Sequence, residues 1–337
     1  MARTRAALGT LQHHSSFIIH RSSFILLCSA LVAGSLPAAA QQYPVRPVRL
    51  IVAVAPGGGM DTTARGIGAK LSEQLGQTLV ADNRGGGGGS IAAEITREAA
   101  PDGYTLMIMS ATFMIRPLLY EVRYAPRDFA PISQMTAQPY LLVVNTSVPA
   151  RSVRELVDYA KAHPAQLNFA SAGQGSLIHL ATELFNARTG VKTTHVPYKG
   201  MGAAYPDLIG GRIQFALGSI ISAQPHVRAG RLRALGVTSA RRAQAMPDVL
   251  TVAEAGVPGY EVIQWYGMLA PAKTPRAIVD RLQREIARAL QQPDVIKRMA
   301  AEGSEAVGST PREFAAHMKA EGEKWAKVIR DAGIRTQ

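Results

Sequence analysis

The chain has 337 residues, 47% of them apolar and 18% charged, a balance that excludes a disordered polypeptide and supplies a buried core for one large or two medium domains. Its 37 Lys and Arg against 24 Asp and Glu give a formal charge of +13, but the basic residues are scattered and not interleaved with aromatics. That pattern argues against nucleic acid and for anionic small molecules or a membrane surface.

Residues 1–40 read as an export signal. Arg3, Arg5 and Arg21 occur without an acidic residue, an apolar run follows at 24–34, and Ala38-Ala39-Ala40 offers a small-residue cleavage site. The apolar run falls short of the ~20 residues a spanning helix needs. Subtracting the three signal arginines from +13 leaves about +10 on the mature chain. Cys28 is the single cysteine; it sits inside the apolar run behind the bulky Leu27, which argues against lipidation, and its removal leaves no thiol chemistry.

The mature chain opens with a strand at 49–54, then Pro56-Gly57-Gly58-Gly59, then apolar positions at helical spacing over 62–75 with Gly76 as the stop. A glycine-rich turn into a helix start leaves backbone N–H groups free at the positive end of the helix dipole, where an anion can sit without a basic side chain. Neither nucleotide template fits, since the loop lacks both the closing Lys-Ser/Thr pair and the G-x-G-x-x-G spacing. A tight turn capped by Asp61, with no ligand, stands beside the anion reading. The theme recurs: a strand at 77–80, a five-glycine run at 85–89 and a helix at 91–99; a strand at 105–109 opening onto Ser110-Ala111-Thr112; and a strand at 168–170, the loop 171–176 and a helix carrying His179. Further strands are expected at 128–132, 140–145, 193–198, 214–221, 232–238 and 265–271, and helices at 152–163, 203–208, 275–291, 293–302 and 311–332. Such alternation implies an α/β fold of parallel sheets with ligands at the carboxyl ends of the strands.

These loops, in order, resemble the Bug-type periplasmic receptors of tripartite tricarboxylate transporters. The carriers are Pro56-Gly57-Gly58 with Asp61 and Arg65; Asn83-Arg84; Pro101-Asp102-Gly103-Tyr104; Ser171 with Gly173, Gly175-Ser176 and His179; His195-Val196-Pro197-Tyr198-Lys199-Gly200; Thr251 to Gly256; and Trp265-Tyr266-Gly267. The resemblance implies a two-lobed, hinged periplasmic binding protein of Venus-flytrap form, each lobe a mostly parallel sheet flanked by helices. Domain 1 is expected at 41–144 plus 267–337, and domain 2 at 145–266. It also implies a carboxylate ligand held by two facing loops through backbone N–H groups, delivery to the permease subunits of a membrane transporter, a monomer, and no cofactor, metal or catalytic residue.

The ligand-binding residues carried over are Val54, Pro56, Gly57, Gly58 and Asp61 in one jaw, with Ser110 and Thr112 beside it. The other jaw supplies Ser171, Gly175, Ser176 and His179, and Tyr198 and Ser219 end two further strands. Asp61 would repel a carboxylate, so organising loop amides suits it better than direct contact. His179 either touches ligand or buttresses its loop. The chain departs from the family at Ala53-Val54, where a proline and an aromatic are usual, and at Arg116, where asparagine is usual. Arg116 reads as a solvated surface residue before it reads as a clamp for a second carboxylate. An aspartate common near Ser219 is missing, which favours di- and tricarboxylates or aromatic acids over amino acids. A sensor-coupled receptor would use the same pocket. A serine hydrolase is disfavoured because residues 171–175 do not form a G-x-S-x-G elbow.

Overall fold

The computed structural model describes residues 43–57 and 59–334; the expected signal at 1–40 and Gly58 lie outside them. Residues 43–45 belong to an amino-terminal unit, with a cis Tyr43–Pro44 bond, and from Arg46 onward the chain forms one second unit. That unit begins as strand-helix repeats: β1 (Val48–Val52), α1 (Gly59–Leu75), β2 (Leu79–Asn83), α2 (Ser90–Glu98), β3 (Thr105–Ser110) and α3 (Thr112–Leu119). After the long β4 (Phe129–Asn145) a second series follows: α4 (Val153–Ala162), β5 (Asn168–Ser171), α5 (Leu177–Thr189), β6 (Thr194–Pro197), α6 (Met201–Ile209), β7 (Phe215–Ser219), α7 (Ile220–Arg228) and β8 (Leu232–Val237). The chain then returns through β9 (Ile263–Pro271) and ends in α8 (Arg276–Leu290), α9 (Pro293–Ala301), β10 (Glu305–Ala306) and α10 (Pro311–Asp331).

The sheet is mixed, in the order β2-β1-β3-β9-β4-β7-β5-β6. β1 lies parallel between β2 and β3, and β5 lies parallel between β6 and β7, because helical crossovers return each strand in the same direction. Leu50, Ile51 and Leu106 to Ile108 are all at most 1% exposed. Consecutive burial of this kind, in place of alternation, marks strands covered on both faces. β4 and β9 join the two parallel sets and run antiparallel to their neighbours. β4 pairs with β9 as far as Pro139↔Ile263; from Tyr140 on it pairs with β7 and β8. Fully buried Thr238 stands at that change of partner. Its hydroxyl accepts from the Tyr140 N–H at 2.8 Å and donates to the Val262 carbonyl at 2.6 Å, so one side chain ties both crossing strands together.

The sequence pattern divides β4 into two short strands and does not anticipate α3 or α7. Pro117 interrupts the pattern of α3 and would ordinarily end it. The cost is met locally: the Phe113 carbonyl, which a residue-117 N–H would have bonded, accepts the Tyr124 hydroxyl at 3.2 Å. On the return side, Trp265 and Trp325 are fully buried and both donate ring N–H groups to Glu321, at 3.4 and 2.9 Å, giving that buried carboxylate its partners. Among the described residues no helix is long and apolar enough to cross a membrane.

Candidate functional site

The first glycine loop runs from the carboxyl end of β1 into α1, and Asp61 organises it from below. Asp61 is 4% exposed. Its carboxylate accepts from the Gly57 N–H at 2.9 Å, from Arg65 Nε at 3.0 and 3.1 Å and from Asn83 Nδ2 at 2.9 Å. Burial alone would push this carboxyl up, but the donated bonds from Gly57, Arg65 and Asn83 outweigh it and hold the group ionised below its ordinary value. Asn83, paired in register with Val52, also donates to the Val54 carbonyl at 3.1 Å and accepts from Arg65 at 2.8 Å. The loop is thereby fixed at both ends by a network rooted in β2. The second glycine run packs directly on it: a Cβ at Gly85 would stand 2.9 Å from the Ala55 nitrogen, so only glycine permits this approach of backbone to backbone. Gly86 to Gly89 then take four successive positive φ values between 55° and 117°, which L side chains rarely adopt.

The opposing loop, residues 171–176, follows β5. Ser176 caps α5, its Oγ accepting the His179 N–H at 3.3 Å, and the Gly175 N–H donates to His179 Nδ1 at 3.2 Å. That bond requires a lone pair on Nδ1 and places the proton of the neutral ring on Nε2. Fully buried Ser171 accepts from the Gly173 N–H at 3.1 Å and lies 2.6 Å from His195 Nε2. The imidazoles of His179 and His195 stack at 3.9 Å, with Phe169 against His195 at 4.9 Å. Burial, reinforced by His195, pushes His179 down to about 4, and burial pushes His195 down to about 4. Both rings are neutral at pH 7 and serve as fixed props beneath the loop. Glu183, 3.9 Å from His179 Nε2, is pushed up by burial.

Between the two loops lies a cleft of about 1100 Å³. Val54 and Pro56 line it from the first loop, Ser110 and Thr112 from the end of β3, and Gly175, Ser176 and Tyr198 from the other side. Asp61, Ser171 and His179 are buried behind the wall, exposed Gly57 is not among the residues that line it, and Gly58 is outside the described residues. Ser219 ends β7, where its hydroxyl meets Ser222 Oγ at 2.6 Å, and it does not line the cleft. Tyr198 holds its hydroxyl on Asp207 at 2.7 Å. Sequence reasoning misses Asn83, the lining by residues 85–89, and the placement of Arg116 in the wall. A signal for Asn83 does exist: it ends the strand beside β1, where a topological argument puts ligand-loop residues. The walls touch at one edge, where the Tyr120 hydroxyl donates to the Gln174 carbonyl at 3.4 Å and Leu119 packs on Gly175. Ser171 and His195 make the one contact between a serine hydroxyl and an imidazole near the cleft among the described residues, yet Ser171 is fully buried behind the wall, which disqualifies it as an accessible nucleophile. Among the described residues no group of three or more His, Cys, Asp or Glu is placed to hold a metal ion.

Residues 63–334 match the model of the tripartite tricarboxylate transporter family receptor. The chain belongs to that receptor family. BugT of Bordetella pertussis is 36% identical over 318 residues, covering 92% of this chain and 96% of BugT. A protein of the tcbD-tcbE intergenic region in Pseudomonas sp. strain P51 is 41% identical over 290 residues, 85% of this chain and 86% of its own. Among solved structures, an R. palustris protein with adipate superposes with a TM-score of 0.80 at 38% identity, over 87% of this chain and 99% of its own. MatC of Rhodopseudomonas palustris, with bound malate, gives 0.75 at 34%, over 85% and 100%. The periplasmic binding protein BugD gives 0.77 at 33%, over 88% and 100%. The fold is therefore the two-lobed α/β fold of the periplasmic receptors of this transporter family, which are solute-binding proteins.

Proposed function

We propose that the chain binds a small carboxylate-bearing solute in this cleft, closes its lobes around it by a hinge, and delivers it to the permease of a tripartite tricarboxylate-type transporter after export through the signal at 1–40. The charge of the cleft carries the reading. Its wall holds two cationic side chains, Arg116 and Lys199, and no acidic one among the described residues, while glycine loops from both parallel sets face it. Uncharged backbone donors suit a receptor that must release what it binds. The adipate and malate bound by two similar receptors fit the same chemistry. The lobes are read as 41–144 with 267–337 and 145–266, the hinge lying in the two crossings that Thr238 ties, near those boundaries.

Thermal unfolding of the mature protein against adipate, malate, citrate, aromatic acids and amino acids tests this reading. A genuine ligand at about 100 times its Kd adds roughly 2.7 kcal/mol of stability and raises Tm accordingly. Shifts with neutral compounds but with no carboxylate would overturn the reading.

A further inference from the structure

Arg116 is the unexplained cation of the cleft. It projects from α3 into the wall, and its Nε is buried with no hydrogen-bond partner. Among the described residues no carboxylate pairs with its guanidinium. A buried donor without an acceptor is a net cost to the folded protein; what the cleft offers a ligand is the guanidinium that lines its wall. The group is also held in place. Its guanidinium carbon lies 3.6 Å from the centroid of the Tyr120 ring, and a Cβ on Gly88 would stand 2.7 Å from Arg116 Cδ, so glycine at 88 makes room for the stem. Tyr120 in turn donates to the Gln174 carbonyl of the opposing loop. A planar guanidinium stacked on a ring and stripped of internal acceptors is organised for two parallel bonds to one carboxylate. Lys199, the other cation of the wall, is exposed, and carries its ammonium on a flexible four-carbon stem.

We propose that Arg116 anchors a second carboxylate, so that the physiological ligand is a dianion with one acid group at the glycine loops and the other on this guanidinium. The inference rests on the carboxylate reading above and narrows it. Because Arg116 stacks on Tyr120 and Tyr120 reaches across the cleft, an acid group seated there would also favour the closed arrangement of the two walls.

The test compares titrations of the mature protein with α,ω-dicarboxylates of four to eight carbons and with the monocarboxylates of equal length, hexanoate against adipate among them. The protein is expected to favour the best diacid over its monoacid by roughly 10- to 100-fold, the worth of a charge-assisted pair. That preference should collapse in Arg116→Gln and fall part-way in Arg116→Lys, which keeps charge but loses the planar fork. It should survive in Lys199→Gln. The Tm of each unliganded variant reports folding separately. Equal binding of monoacids and diacids by the parent protein, or a preference abolished by Lys199→Gln and kept in Arg116→Gln, overturns the inference and leaves the carboxylate reading standing. Failure of both series to bind overturns the carboxylate reading and this inference together.

Discussion

Replacing Asp61 with alanine is expected to lower stability by about 1–3 kcal/mol, because the buried carboxylate that joins the Gly57 N–H, Arg65 and Asn83 is removed; Asn83 keeps the Val54 carbonyl and Arg65 keeps Asn83, while the Gly57 N–H loses its acceptor. For a chain of this size that corresponds to a fall in Tm of roughly 2–5 °C. Ligand affinity should drop with it, by roughly tenfold or more, since the 2.9 Å bond to Gly57 is what holds the first loop in its anion-facing shape. Asp61→Asn keeps an acceptor for Gly57 but loses the charge that pairs with Arg65, and is expected to fall between the parent and the alanine variant. Thermal unfolding with and without ligand checks both effects. An alanine variant with unchanged Tm and unchanged affinity would show that the loop holds its shape without this network.

The second large effect is a loss of stability in mild acid. His179 and His195 are held down to about 4 in the folded protein, against about 6.5 in an unfolded chain. Between those values the unfolded state binds more protons than the folded one, so stability is complete above about pH 6.5 and declines as pH falls toward 4. Buried His179 contributes on the order of 3 kcal/mol across that window and the half-buried His195 less, because water screens its charge, and since they stack at 3.9 Å the two protonations are coupled. Glu183, pushed up by burial beside His179, works in the opposite direction and offsets part of the loss. Protonated His179 also has no lone pair for the Gly175 N–H, so the second loop loosens and affinity falls in the same range. Urea denaturation from pH 7.5 to 4.5 measures this. The parent is expected to lose stability steadily below pH 6.5, and His179→Gln with His195→Gln to flatten the decline. A parent curve flat from 6.5 to 5 would rule out neutral imidazoles as the props of this loop.

Much of the site is legible in the amino-acid sequence because its signals are local. Glycines between a strand and a helix, Asp61 one turn into α1 and Ser176 ahead of α5 announce loop and cap by residue type alone. What is not legible depends on partners distant in sequence. α3 survives Pro117 because Tyr124 supplies a replacement bond, which no helix pattern contains. β4 reads as one strand only once β9, β7 and β8 are laid along it. His179 and His195 belong to different elements and acquire their shared role through stacking. Arg116 reads as a surface arginine until Gly88 and Tyr120 are seen to hold its stem and its plane in the cleft wall.

The central claim is that two loops, 54–57 after β1 and 171–176 after β5, close on one carboxylate from opposite walls of the cleft. Amide hydrogen exchange on the mature protein, with and without saturating diacid, tests it most directly. The account predicts slowed exchange in both segments together, with residues 85–89 and the crossings around Tyr140 and Val262 following as the walls close. Slowed exchange in only one of the two loops, or in neither while the acid is bound, would contradict it.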